Sequence, residues 1–75
     1  MVLPMTYLSR GKSAPIIWVA ALPPQLQQLQ KLGLLPTHTI SLLFIGPFHR
    51  FSICRIDRNV VPLKKSVMNM VFVEI

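Results

Sequence analysis

Few side chains of this chain are equipped for chemistry. The carboxylates are Asp57 and Glu74, one in a predicted turn and the other next to the last residue, so they form no acid–base pair. The single thiol, Cys54, lies between Ile53 and Ile56, and the nearest imidazole, His49, is five residues away. A thiolate nucleophile needs an activating base held against it, so Cys54 reads as a buried structural thiol. The candidate metal ligands are His38, His49, Cys54 and Asp57, and their spacing matches no zinc or iron pattern. No metal site and no cofactor are expected, and His38 is read as a solvated turn residue. The three glycines are scattered, so no phosphate-cradling loop exists. This is not the sequence of an enzyme.

Charge and leucine remain. Eight Lys or Arg face two Asp or Glu, for a net charge of +6. Such a surplus seeks phosphates, acidic proteins or anionic lipid. Lys64 and Lys65 are either an ordinary solvated turn or, with Arg50, Arg55 and Arg58, a basic face for an acidic protein domain or an anionic membrane surface. A nucleic-acid-binding face would need exposed aromatics beside those residues, and only Phe48 and Phe51 near Arg50 qualify. The stretch Leu29 to Pro36 holds more leucines than one helix end can bury. It is the candidate contact surface, with Leu29, Leu34, Leu35 and Pro36 as its partner-binding residues and Lys64 and Lys65 as electrostatic support. Within it Leu29 and Leu32 are expected to point inward and Leu35 outward.

These residues must be positioned by a small fold. Length 75 allows one domain, and one cysteine excludes an internal disulfide. With 52% apolar and 13% charged residues the chain is built to fold rather than stay disordered. A closed antiparallel barrel suits it, because closure leaves no strand edge open. A spanning helix needs about 20 apolar residues in sequence. The longest run, Ala14 to Pro24, is too short and holds Pro15, Pro23 and Pro24. The run also has features of a signal peptide, with Arg10 and Lys12 before it and Ala20 and Ala21 near its end. Against that reading, the basic residues lie far from Met1 and prolines interrupt and follow the run.

The pattern along the chain gives a single domain over 1–75 with an irregular lead-in over Met1–Lys12, most clearly its first seven residues, then a short strand at Ile16–Val19 buried on both faces. Leu22, Leu26, Leu29 and Leu32 recur at helical spacing, predicting a helix over Pro24–Leu32. Lys31 suits its C-terminal dipole, and Gly33 is placed for a left-handed structural cap with Leu34 packing back. Strands follow at Ile40–Ile45, Phe51–Ile56, Val60–Leu63 and Met70–Ile75. Pro62 demotes the third of these to an edge, and Asn59 is expected to take positive φ in the turn before it. Connections of a few residues imply antiparallel pairing.

Five elements in this order resemble the FeoA family. Leu32-Gly33-Leu34-Leu35-Pro36 after a Leu-rich helix is similar to its "LGLLPG" signature. Leu8, Gly11 and Ala14 match its opening "L..G..A", and Ile40–Ile45 with Gly46-Pro47 matches the strand before its "AP" hairpin. Leu63-Lys64-Lys65 resembles "LR[RK]", and Val71-Phe72-Val73-Glu74 the closing "I.VE". Thr37 stands where the family has Gly, His49-Arg50-Phe51 replaces its "GDP" turn, and Pro62 interrupts its "LAL" strand. The resemblance implies a mainly β, SH3-like small antiparallel β-barrel with one helix. It also implies a cytoplasmic, non-enzymatic accessory of bacterial ferrous-iron uptake. Such a protein would bind the cytoplasmic part of the FeoB membrane permease and modulate its assembly or GTP-linked transport, with peripheral contact at the inner membrane. The rival is a small basic nucleic-acid-binding β-barrel.

Overall fold

The computed structural model describes residues 1–75. Six strands form: β1 (Val2–Pro4), β2 (Ser13–Val19), β3 (Thr39–Ile45), β4 (Phe51–Ile56), β5 (Asn59–Lys64) and β6 (Val71–Glu74). Two helices, α1 (Pro23–Lys31) and α2 (Lys65–Met68), and 3-10 turns at Met5–Tyr7 and Pro47–His49 complete the chain. All neighbouring strands pair antiparallel, in the order β1-β6-β2-β3-β4-β5. Alternate side chains of the curled sheet point inward: Ala14 and Ile16, Ile40 and Leu42, Cys54 and Ile56, Val71 and Val73. This is the SH3-like antiparallel fold expected from the sequence. The strand ladder itself stays open between β1 and β5. There α2 packs against both β5 and the first 3-10 turn, and Met68 and Met5 are buried. Helical turns, not a sixth strand pairing, complete the enclosure.

The lead-in is not irregular. Val2 pairs with Glu74 and Pro4 with Phe72, so the first residues are the outer strand of the sheet, and Met5 is fully buried. Three residues carry no local period, and their partner is at the other end of the chain. Nor is β2 buried on both faces. Its register with β6 shifts between Ile16 and Trp18, so that Ile17 and Trp18 both face outward, the latter stacked on Phe72. A second bulge, between Leu42 and Phe44 of β3, exposes Leu43 and Phe44 in the same way.

Helix α1 opens on Pro23 and Pro24, whose missing N–H groups are unpaired in a first turn anyway. It ends one residue earlier than the leucine spacing suggests, with Leu32 as its C-cap. The Leu34 N–H donates to the Leu29 carbonyl at 3.1 Å and the Gly33 N–H to Gln30 at 3.0 Å. With Gly33 at φ +95°, this is a Schellman reversal, and its apolar closure is Leu34 against Leu29, both buried. Four non-glycine residues also take positive φ: Thr37, Phe48, His49 and Asp57. The β4–β5 turn thus uses Asp57, not Asn59, which already pairs with Ile56 as the first residue of β5.

A Cβ on Gly33 would stand 3.1 Å from Ile56 Cγ2, on a backbone that L residues avoid. Gly33→Val should therefore lower stability by about 1–3 kcal/mol in urea unfolding. Thr37→Gly should act oppositely: Thr37 is β-branched at φ +78°, and relief of that strain exceeds the entropy cost of glycine by about 1 kcal/mol. A lower unfolding midpoint for Thr37→Gly would show that the threonine is held without strain.

Candidate functional site

The reversal at Gly33 sorts the leucines of the helix exit. Leu29 and Leu34 are in the core, Leu29 inward and Leu34 packed back on the cap as expected, so neither is available as the partner-binding residue that the sequence also suggests. Leu32, expected inside, is 38% exposed. Leu35, expected outside, is half-buried, and Pro36 is exposed. The cause is the early helix end: once the chain turns left-handed at Gly33, the next leucine goes inward and the C-cap residue is left outside. At the other end Leu22 is 78% exposed. Leu29 is the only residue within α1 that is buried, so the leucine stripe is covered at its middle and open at both ends.

A polar latch fixes this exit. His38 Nδ1 lies 3.0 Å from the Gly33 carbonyl and 3.0 Å from Asp57 Oδ2. Both partners are acceptors, so Nδ1 carries the proton and donates. His38 is therefore a half-buried fastener between the helix cap and the β4–β5 turn, not a solvated turn residue. The two residues are 19 positions apart and meet only because β3 and β4 pair. No spacing signal in the sequence announces such a pair.

Lys64 and Lys65 are not beside the helix exit. Lys64 pairs with Phe51 at the start of β4, whereas Gly33 lies against Ile56 at its end. Five residue steps of strand separate them, about 17 Å. At the Lys65 end, a groove of about 730 Å³ is lined by Arg10, His49, Ser52, Lys65, Met68 and Tyr7 among others, with no carboxylate. The molecule's salt bridges are Met1 amine to Glu74, at 2.7 Å, and His38 to Asp57. Both acidic side chains are thus engaged, and none of the eight Lys and Arg side chains has a carboxylate partner.

Cys54 is fully buried between the sheet and its packing, while His49 is exposed at the groove. Burial pushes the Cys54 thiol up to about 11. No three His, Cys, Asp or Glu side chains converge. What the surface presents is a leucine-lined helix exit at one end of β4 and a basic end at the other, on a small SH3-like scaffold.

No family model matches the sequence, and no curated protein matches it by sequence. Comparison of the fold finds the FeoA proteins. The crystal structure of the iron uptake regulatory protein FeoA superposes with a TM-score of 0.88 at 23% identity, over 99% of this chain and 97% of that one. The solution structure of FeoA protein from Chlorobium tepidum gives 0.88 at 20% identity, over 97% of this chain and 70% of that one. Iron(II) transport protein A from Clostridium thermocellum gives 0.90 at 20% identity, over 97% of this chain and 45% of that one. The fold is that of FeoA proteins. No helix of the chain is long and apolar enough to cross a membrane.

The thiol gives a direct check on the core. A folded-state pKa above the unfolded value favours folding below the unfolded pKa and loses that contribution as pH rises. Stability should therefore fall between pH 9 and 11, from the ordinary thiol value to the raised one, by up to about 2–3 kcal/mol. Cys54→Ala should remove this part of the pH dependence in urea titrations. Equal slopes for the two proteins would show that the thiol ionises freely in the folded state.

Proposed function

We propose that this chain is a non-enzymatic accessory of ferrous-iron uptake that docks on the cytoplasmic region of a FeoB-type permease. The observation that supports this best is the end-to-end match to iron uptake regulatory protein FeoA, in which 99% of this chain aligns with 97% of the other. The chemistry of the surface agrees. It has no nucleophile–base pair and no paired carboxylates, but it has an apolar contact point.

The docking face is the helix exit, with Leu32, the outer part of Leu35 and Pro36 as its anchors. Leu32 and Pro36 are exposed on a segment stiffened by the Schellman reversal and the His38 latch. An apolar anchor on a rigid support loses little entropy when a partner covers it. Leu29 and Leu34 hold this face from beneath. Lys64 and Lys65, at the far end of β4, act at range by raising the encounter rate with an acidic partner domain.

Leu32→Asp should keep the melting temperature within a few degrees, because the side chain is already partly in water. It should weaken binding to the permease's cytoplasmic region by roughly 30-fold, the equivalent of about 2 kcal/mol for an anchor residue. Leu29→Asp should unfold the domain. Lys64→Glu with Lys65→Glu should slow association and leave dissociation nearly unchanged. Calorimetric binding and a melting curve for each variant decide the matter. A folded Leu32→Asp that binds like the parent would place docking on another face.

A further inference from the structure

The outer face of β3, β4 and β5 carries a second surface, of which the docking reading uses only the charge of Lys64. Register puts its side chains in rows. Phe44, Ile53 and Pro62 form one row, Phe51 and Lys64 the next, and Ser41, Arg55 and Val60 the third. The Phe44 and Phe51 rings lie 6.4 Å apart, tilted by 43°. Gly46 makes room for this, since a Cβ there would come within 2.7 Å of three carbons of the Phe51 ring. Beyond the rows projects the Pro47–His49 turn, where Phe48 is 86% exposed and the Arg50 guanidinium lies 5.8 Å from the Phe48 ring centre.

The turn is rigid and strained. Phe48 and His49 both take φ +56°, unusual for bulky residues. Backbone bonds hold it: His49 N–H to Gly46, Arg50 N–H to Pro47, Gly46 N–H to Phe51, and Lys65 N–H to Arg50. The phenylalanine is thus held in water by an ordered loop in a costly conformation, an arrangement associated with binding tips. Arg50, Arg55, Arg58 and Lys64 flank the face, and its one nearby carboxylate, Asp57, is engaged by His38.

We infer that this face is a lipid-docking surface, with Phe48 inserting at the boundary between headgroups and acyl chains of an anionic membrane and Arg50, Arg55 and Lys64 meeting the lipid phosphates. Charge complementarity selects the occupant: four basic side chains beside exposed aromatics match a negatively charged surface. Shape selects lipid over nucleic acid. Leu43, Ile53, Val60 and Pro62 separate or border the rings, and aliphatic side chains do not stack bases. The tilt of Phe44 against Phe51 also denies successive bases a common platform. The inference concerns a different face from the helix exit and needs no permease.

The test uses the purified chain and vesicles of phosphatidylcholine with or without phosphatidylserine. Co-sedimentation should require phosphatidylserine and fall steeply with salt. Phe48→Ser should fold normally and weaken vesicle binding by about tenfold or more. Arg50→Gln with Arg55→Gln should weaken it comparably and flatten the salt dependence. In a Trp18→Phe background, Phe48→Trp should shift its fluorescence to shorter wavelength when phosphatidylserine vesicles are added. Leu32→Asp, the variant that disables the helix exit, should bind vesicles like the parent, which keeps the two surfaces separable. The inference is overturned if vesicles fail to bind, or if phosphatidylcholine alone binds equally. It is also overturned if Phe48→Ser binds unchanged, or if the face takes random single-stranded oligonucleotide while ignoring lipid.

Discussion

The conformation of one glycine governs how this molecule meets its surroundings. Gly33 turns the chain left-handed at the end of α1, and only that turn lets Leu34 enter the core beside Leu29. Those two leucines are most of what seats the helix, since no other residue of α1 is buried. The same turn points the Gly33 carbonyl at His38, which in turn reaches Asp57. The cap, the helix, the following loop and the β4–β5 turn are therefore one mechanical unit. Ile56, pressed close under Gly33, ties it to the sheet. Any side chain at position 33 strains the backbone and displaces Ile56 together, so the two costs cannot be relieved separately.

Charge follows a similar economy. The chain has two acidic side chains and commits both to structure. Glu74 meets the Met1 amine where β1 joins β6, and Asp57 meets His38 beneath the helix exit. The exposed Met1–Glu74 ion pair adds little stability. Neither acidic side chain sits beside a Lys or Arg, so no basic side chain is neutralised locally. The whole basic surplus is then available at range, and it falls off over roughly 8 Å at physiological salt. A small contact protein gains encounter rate from such a field without enlarging its interface.

Much of this was legible in the sequence, wherever the signal was local. The leucine spacing with Gly33 after it marks α1 and its cap, and alternation marks β3 to β6. Pro62 rightly places β5 at the sheet edge. What escaped was non-local. β1 exists only because β6 pairs with it, and the lead-in has no periodicity of its own. Bulges at Ile17 and Leu43 turn two consecutive residues outward, which a strict two-residue period cannot anticipate. The site suffered for the same reason. Whether Leu32 or Leu34 faces the core depends on ending the helix at Lys31 rather than one residue later, a difference that helical periodicity does not resolve. His38 and Asp57 meet through tertiary structure alone, and Thr37, where the FeoA signature has glycine, keeps the left-handed backbone without the residue that usually announces it.

β4 gives these pieces their geometry. Its Ile56 end supports the helix exit, and its Phe51 end supports the loop that carries Phe48. The strand lies inside the sheet between β3 and β5, so the separation of the two ends cannot vary. A chain that met a membrane protein through one end and lipid through the other would hold both at once, about 17 Å apart along a rigid element. Each contact would then raise the effective concentration for the other, so that two weak surfaces would act as one stronger one. The benefit depends on the spacing being fixed, because a flexible connection of the same reach would lose part of it to entropy. For a domain of this size, with little area to offer any single partner, two small surfaces joined by a stiff strand are a more accessible route to residence at a membrane than one large interface.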